Sequence, residues 1–247
     1  MSRLEWLKPA WIRGDNLLQI VPVLAGKDRK LRLFALACCD RVRHRITDPR
    51  SLAAVAFAER YAETCGVRGR KGRPAVAAAA EAATAEFVAQ QVHTRLDLPL
   101  GIRIIACQVA AQLVDGDGLK SAVVVSSCAP QLRLLEWALA DGHQYDWQSP
   151  VIQDANRTIQ AGFVALLRDV AGDPYRPVAF DPPWLTSTVL ALAQGIYKDR
   201  AFDRLPILAD ALQDAGCENP EILDHCRDPR LAHVRGCWAV DLVLGKS

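Results

Sequence analysis

The stretch Asp28–Ile46, DRKLRLFALACCDRVRHRI, decides the fold class of this chain. Its apolar residues recur every three or four positions and fall within about 120° of arc on a helical wheel, the width of a face that packs on a core. These residues are Leu31, Phe34, Ala35, Cys38, Val42 and Ile46. Charged residues such as Arg29, Arg32 and Arg43 lie on the opposite side. The pattern therefore predicts an amphipathic α-helix whose Cys38 points inward.

Proline and glycine mark the ends of further helices. A capping residue followed by proline, which favours the first turn of a helix, marks the start of three of them. The pairs are Asp48-Pro49, Ser149-Pro150 and Asn219-Pro220. Pro74 opens an alanine-rich stretch, and Gly172 and Gly216 follow apolar runs as C-terminal caps. The one strand-like run, residues 123–125, is too short to build a sheet. We therefore expect an all-α array of about nine to eleven helices.

The chain divides at a proline-rich stretch between residues 173 and 184. We assign residues 1–172 to an alanine-rich helical array and residues 173–247 to a C-terminal helical module. The module is small for an independent core, so we expect it to dock on the array and share the core of the array.

The composition is that of a globular protein, and it excludes several classes. Of the 247 residues, 51% are apolar and 23% are charged, unlike a disordered or fibrous chain. No apolar run reaches the roughly 18 residues of a membrane-spanning helix, and the first residues lack a secretory apolar segment. The eight cysteines are scattered without a disulfide framework. We therefore expect a cytoplasmic protein with reduced thiols and no membrane partner.

The Cys and His residues near the C-terminal end form the densest chemical group in the sequence. They are Cys217, His225, Cys226, His233 and Cys237. Thiolates and imidazoles are the ligands that Zn²⁺ prefers, and Cys226, His233 and Cys237 together with either Cys217 or His225 could complete a tetrahedron. The spacing contains no C-x-x-C pair, so buried thiols with capping or surface histidines are the competing interpretation. Both interpretations stay open at this point.

A basic loop precedes the alanine-rich stretch. Residues 66–73, GVRGRKGR, carry four cations: Arg68, Arg70, Lys71 and Arg73. Because backbone N–H groups at a helix N-terminus favour anions, a phosphate or a nucleic-acid backbone would fit here. The P-loop pattern is absent, and a solvated basic loop is the alternative. Residues 1–73 carry 16 Lys and Arg against seven Asp and Glu, which makes nucleic-acid binding an alternative for the whole N-terminal part.

Catalytic signatures are missing from the sequence. It contains no nucleophile elbow, no H-E-x-x-H and no dinucleotide fingerprint, so we assign no catalytic residue. Helical arrays offer broad surfaces, and we therefore expect a non-catalytic scaffold or interaction role with another protein as the partner. A structural zinc module and binding of nucleic acid or phosphate are the alternatives.

Short motifs in two regions of the chain, the first 65 and the last 75 residues, carry a resemblance to a known family. The C-terminal motifs are AFDRLPILADAL at 201–212, AGC at 215–217, HCR at 225–227 and HVRGCW at 233–238, continuing to GK at 245–246. The N-terminal motifs are DRKLRLF at 28–34 and Cys38-Cys39. In these residues the chain resembles a family of bacterial proteins without an assigned activity, although Pro229-Arg230 stands where that family has Pro-Gly. Some members carry a label that links them to an immunity-protein and cell-wall-regulator family of mixed α/β fold, which the helical pattern here does not fit. The resemblance therefore implies a shared module and no particular reaction.

Overall fold

The computed structural model describes residues 21–64, 72–91, 98–140, 142, 146 and 148–246. Across these ranges the chain forms ten α-helices and no strand, which confirms the predicted all-α fold. The helices are α1 (Asp28–Asp40), α2 (Pro49–Thr64), α3 (Arg73–Gln91), α4 (Leu98–Leu113), α5 (Gly118–Ala140), α6 (Pro150–Ala171), α7 (Ser187–Asp199), α8 (Leu205–Asp214), α9 (Pro220–Arg227) and α10 (Trp238–Leu244). None of the described helices combines the length and the apolar character needed to cross a lipid bilayer.

Backbone contacts divide the chain into two compact units between Val164 and Ala165, within α6. We call the described residues before this point the N-terminal unit and those after it the C-terminal unit. The boundary inferred from the sequence, between residues 172 and 173, lies just after α6 ends at Ala171. The docking of residues 173–247 on the array stays a prediction.

Helix α1 lies at the centre of the N-terminal unit. It packs most extensively on α5 and also contacts α2 and α4, while α4 packs on α5, α3 and α2. The six apolar residues that define its predicted face are all buried, as expected. The α-helix ends at Asp40, earlier than the pattern suggests, and a 3₁₀ turn at Arg43–Arg45 carries the chain on to the buried Ile46.

Arg32 corrects the expected division of α1 into an apolar and a charged face, because its side chain is buried. The guanidinium donates to Oδ2 of Asp28 at 2.8 Å and to the backbone carbonyls of Asp115 and Gly116 at 3.0 and 2.8 Å. It also lies 4.6 Å from the ring centre of Tyr61. Since α1 has neighbours on several sides, a residue opposite the most apolar face is covered as well, and these partners satisfy its charge.

The predicted helix ends are formed by the expected local contacts. The side chain of Asp48 accepts the backbone N–H of Arg50 at 2.8 Å at the start of α2. In the same way Asn219 accepts the N–H of Glu221 at 2.9 Å at the start of α9. Gly172 follows α6 with a φ of +67°, a conformation that glycine adopts without steric cost. The capping pattern in the sequence therefore locates these three ends.

The C-terminal unit has an apolar core of its own. Helix α7 packs on α8 and α10, and α8 packs on α9. Cys217, Cys226 and Cys237 belong to this core, and Val178 and Trp184 of the proline-rich stretch pack against it. The stretch that separates helical segments in the sequence is thus part of the C-terminal unit.

Candidate metal centre

A tight turn brings His233 and Cys237 together in the segment between α9 and α10. The backbone N–H of Cys237 donates to the carbonyl of Val234 at 2.9 Å, and Gly236 has a φ of +96°. A turn of this kind needs a residue with positive φ at its third position, which glycine supplies. The sequence His-Val-Arg-Gly-Cys therefore places an imidazole and a thiol on either side of one turn.

His225 reaches the same place from the last turn of α9. Its Nε2 lies 3.2 Å from Sγ of Cys237. Its ring packs edge to face on the ring of His233, with centroids 4.8 Å apart and an interplanar angle of 82°. Three of the five residues that the sequence suggests as metal ligands therefore meet in the structure.

Asp169, in the last turn of α6, completes the group and is the residue that the sequence pattern missed. Its Oδ1 lies 2.7 Å from Nδ1 of His233 and 3.3 Å from Nε2 of His225. Its Oδ2 accepts the backbone N–H of Val234 at 2.8 Å. We call Asp169, His225, His233 and Cys237 the Asp-His-His-Cys cluster, and one ligand atom from each lies within 4.8 Å of the others.

The four ligand atoms lie about as close together as the ligands of a small metal ion, and shifts of a few tenths of an ångström would bring most of them to the spacing of zinc ligands. A tetrahedral zinc ion with bonds of 2.0–2.3 Å separates its ligand atoms by about 3.3–3.8 Å. Four separations within the cluster are 2.7, 3.2, 3.3 and 3.9 Å, the last between Sγ of Cys237 and Nδ1 of His233. The cluster therefore has the size and the donor types of a transition-metal site.

The pKa values of the two acidic groups of the cluster shift in opposite directions. Burial alone would raise the pKa of the Asp169 carboxyl, but hydrogen bonds from His225 and His233 outweigh it and hold that pKa below its ordinary value. Burial raises the pKa of the Cys237 thiol well above its ordinary value, and the Asp169 charge adds to the rise. A cation at the centre would favour the thiolate, so binding must displace this proton.

The same contacts do not form a nucleophile, base and acid relay. In such a relay a histidine uses its two ring nitrogens for two different partners. Here Nε2 of His225 faces both Cys237 and Asp169, and Nδ1 of His233 faces both of them as well. Cys237 is also fully buried, whereas a reactive thiol needs access to its substrate. The four groups surround one point, as the ligands of a cation do.

The remaining two predicted ligands, Cys217 and Cys226, lie in the apolar core outside the cluster. Burial raises the pKa of the Cys226 thiol to about 12, and the nearby Asp169 and Cys217 charges contribute. Both side chains therefore have the surroundings of small apolar core residues.

A signal for Asp169 exists in the sequence of α6. Leu166, Leu167 and Val170 are buried, and Asp169 occupies the same side of the helix as its neighbour Leu166, three positions earlier. It also lies near the C-terminal end of α6, where the helix dipole disfavours negative charge. A carboxylate that violates both preferences indicates a compensating partner elsewhere in the chain.

The predicted phosphate site falls mostly outside the described residues. Arg68, Arg70 and Lys71 lie there, and Arg73 is the first residue of α3. Several described arginines of the N-terminal part already have acidic partners. The pairs are Arg32–Asp28, Arg43–Glu59, Arg45–Glu136 and Arg50–Glu86. Phosphate and nucleic-acid binding stay predictions.

Comparison with known proteins adds no relative. No family model matches the chain, and neither a curated protein nor a solved structure matches it. The resemblance to the bacterial family stays a prediction, and the cluster is interpreted from its geometry and donor chemistry.

Proposed function

We propose that the C-terminal unit is a zinc-stabilised, non-catalytic module in which the Asp-His-His-Cys cluster holds one Zn²⁺. The observation that carries this proposal is the convergence of four ligand atoms, from α6, α9 and the turn before α10, within 4.8 Å of one another. A single ion would link α6 to two segments more than fifty residues further along the chain, which is how structural zinc sites contribute to folding.

The donor set favours zinc over the common hard cations. Ca²⁺ and Mg²⁺ prefer shells of oxygen ligands, whereas this cluster offers one carboxylate, two imidazoles and one thiol. The backbone N–H of Val234 on Asp169 supports the proposal further, since an outer hydrogen bond fixes the orientation of a ligating carboxylate.

Closure of the site supports a structural role. Catalytic zinc keeps one position for water or substrate, while structural zinc has four protein ligands. The side chains of Asp169 and His233 are 3% and 7% exposed, and that of His225 is 12% exposed. With Cys237 fully buried, four protein ligands would enclose the ion.

Metal analysis of the purified chain tests the proposal. Protein prepared without chelator should contain about one zinc per chain. Cys237→Ala should lose most of it, because the only thiolate of the cluster is removed. Cys226→Ala is the matched control, since it deletes a thiol of similar burial outside the cluster and should retain the metal.

Cobalt substitution supplies a second readout that does not depend on stability. Co²⁺ in the native protein should give the intense visible bands of a tetrahedral ion together with a thiolate charge-transfer band, and Cys237→Ala should lack the latter. A protein that binds neither ion, or a Cys226→Ala variant that loses zinc as completely as Cys237→Ala, would contradict the assignment.

A further inference from the structure

A cavity of about 360 Å³ opens in the C-terminal unit beside the metal centre. Its lining residues come from the segment around the start of α8 and from the end of α9 with the connection that follows. They are Phe202, Asp203, Pro206, Cys226, Arg227, Asp228, Pro229, Leu231 and His233. The volume lies within the range of pockets that enclose a small molecule or one large side chain.

Two of the three charged side chains among the described lining residues, those of Arg227 and Asp228, are already paired. The guanidinium of Arg227 is engaged by Asp210 at 2.6 Å and Gln213 at 2.7 Å, neither of which is among the described lining residues. Asp228 is held by Arg230, whose hydrogen bonds lower the pKa of its carboxyl to about 2. Within the part of the chain that the structure describes, no ion pair or hydrogen bond engages the carboxylate of Asp203.

The walls of the cavity are apolar and partly aromatic. Phe202, Pro206, Pro229 and Leu231 supply flat or branched hydrocarbon surface. Leu231 is 38% exposed. Apolar walls next to the Asp203 carboxylate fit a ligand that has both a hydrocarbon stem and a cationic head.

We propose that this cavity binds an arginine side chain of a partner polypeptide. The planar guanidinium can stack on the Phe202 ring and donate to the Asp203 carboxylate, and its methylene stem can cover Pro206 and Leu231. A polypeptide accounts for the exposed Leu231, because the residues that flank the arginine would cover it. The proposal adds an interaction partner to the unit and does not require zinc.

A titration with a single blocked amino acid tests the chemistry directly. Nα-acetyl-arginine amide should shift the nuclear magnetic resonance signals of Phe202 and Leu231, with a dissociation constant in roughly the millimolar range for one side chain. Nα-acetyl-citrulline amide is the neutral analogue of the same shape, and it should bind at least about threefold more weakly because the ion pair is lost. Equal binding of the two compounds, or shifts confined to other parts of the protein, would overturn the proposal.

Substitutions at two exposed aspartates test whether the arginine contacts Asp203. Asp203→Asn should reduce the affinity for the arginine compound about three- to fivefold and leave that for the citrulline compound unchanged. Asp214→Asn, at the other end of α8 and outside the cavity, should leave both unchanged. The circular dichroism spectra of both variants should match that of the native chain, because both side chains are exposed. If Asp214→Asn weakens arginine binding as much as Asp203→Asn, the attraction is a general charge effect and the assignment fails.

Discussion

Glu136 in the N-terminal unit and Asp169 in the C-terminal unit are both buried carboxylates, but their partners differ. Glu136 accepts hydrogen bonds from Arg45, from Arg133 at 2.7 Å and from His44 at 2.7 Å, and these three side chains are about half exposed. Asp169 contacts two mostly buried histidines, His225 and His233, and both of these histidines contact the sulfur of Cys237.

The difference separates a structural ion pair from a candidate metal site. Arginine is permanently charged and has no lone pair to offer, so two of the three partners of Glu136 can only neutralise it. The three side chains that share the cluster with Asp169 can each release a proton and bind a cation instead. Burial of a carboxylate is thus common to both places, and the chemistry of its neighbours decides what each can do.

The largest effect should come from Asp169→Ala in the presence of zinc. The variant should lose on the order of 4 kcal/mol of unfolding free energy, the stabilisation given by an ion present at about a thousand times its dissociation constant. Chelator should remove most of this difference, because the native chain then loses the same ion. The measurement is guanidinium denaturation followed by circular dichroism, with and without chelator. A difference that is unchanged by chelator would mean that Asp169 acts through its hydrogen bonds alone.

A smaller effect is expected for Glu136→Ala. Removing this carboxylate leaves Arg45, Arg133 and His44 without their shared acceptor, and their exposed ends can turn to water, so we expect a loss of about 2 kcal/mol. The same denaturation experiment should give an equal loss with and without chelator. If chelator changes the loss of unfolding free energy caused by Glu136→Ala, the two carboxylates do not differ in the way proposed.

Asp48→Ala should have the smallest effect, and it extends the comparison to a carboxylate that caps a helix. At pH 7 we expect a loss of about 1 kcal/mol, the usual contribution of such a cap. Hydrogen bonds from Arg50 lower the pKa of Asp48, so its contribution is present above the unfolded-state pKa of about 4 and disappears as the pH falls through the lower folded-state value. Urea denaturation at neutral and acidic pH should show the native chain and the variant converging in acid. A constant difference would assign the effect to something other than ionisation.

The fold could be predicted from the sequence because the evidence for helices is local. Apolar residues three or four apart, together with pairs such as Asp48-Pro49 and Asn219-Pro220, act within one or two turns of a helix. Burial of Arg32 could not be predicted in this way, since it depends on carbonyl groups at Asp115 and Gly116, which approach α1 only after the chain has folded.

The candidate site was predictable only in part, for the same reason. His233 and Cys237 are four residues apart, so a single turn relates them, and His225 lies close by in sequence. Asp169 precedes them by more than fifty residues, and its approach is set by the packing of α6, which local spacing does not encode. Conversely, Cys226 is adjacent to His225 in the sequence, yet successive residues of a helix point in different directions, and it lies outside the cluster.

The ring of Trp238 packs 4.8 Å from the ring of His225, and a Cβ on Gly172 would come within 3.1 Å of its Cγ. Because the indole lies this close to the cluster, the fluorescence of Trp238 should report whether the cluster holds a metal ion. Bound Co²⁺ should quench the emission of Trp238, whereas Zn²⁺ should not, and Trp238→Phe should abolish the difference between the two ions. Filling of the cluster can therefore be followed in real time by fluorescence, without an added dye.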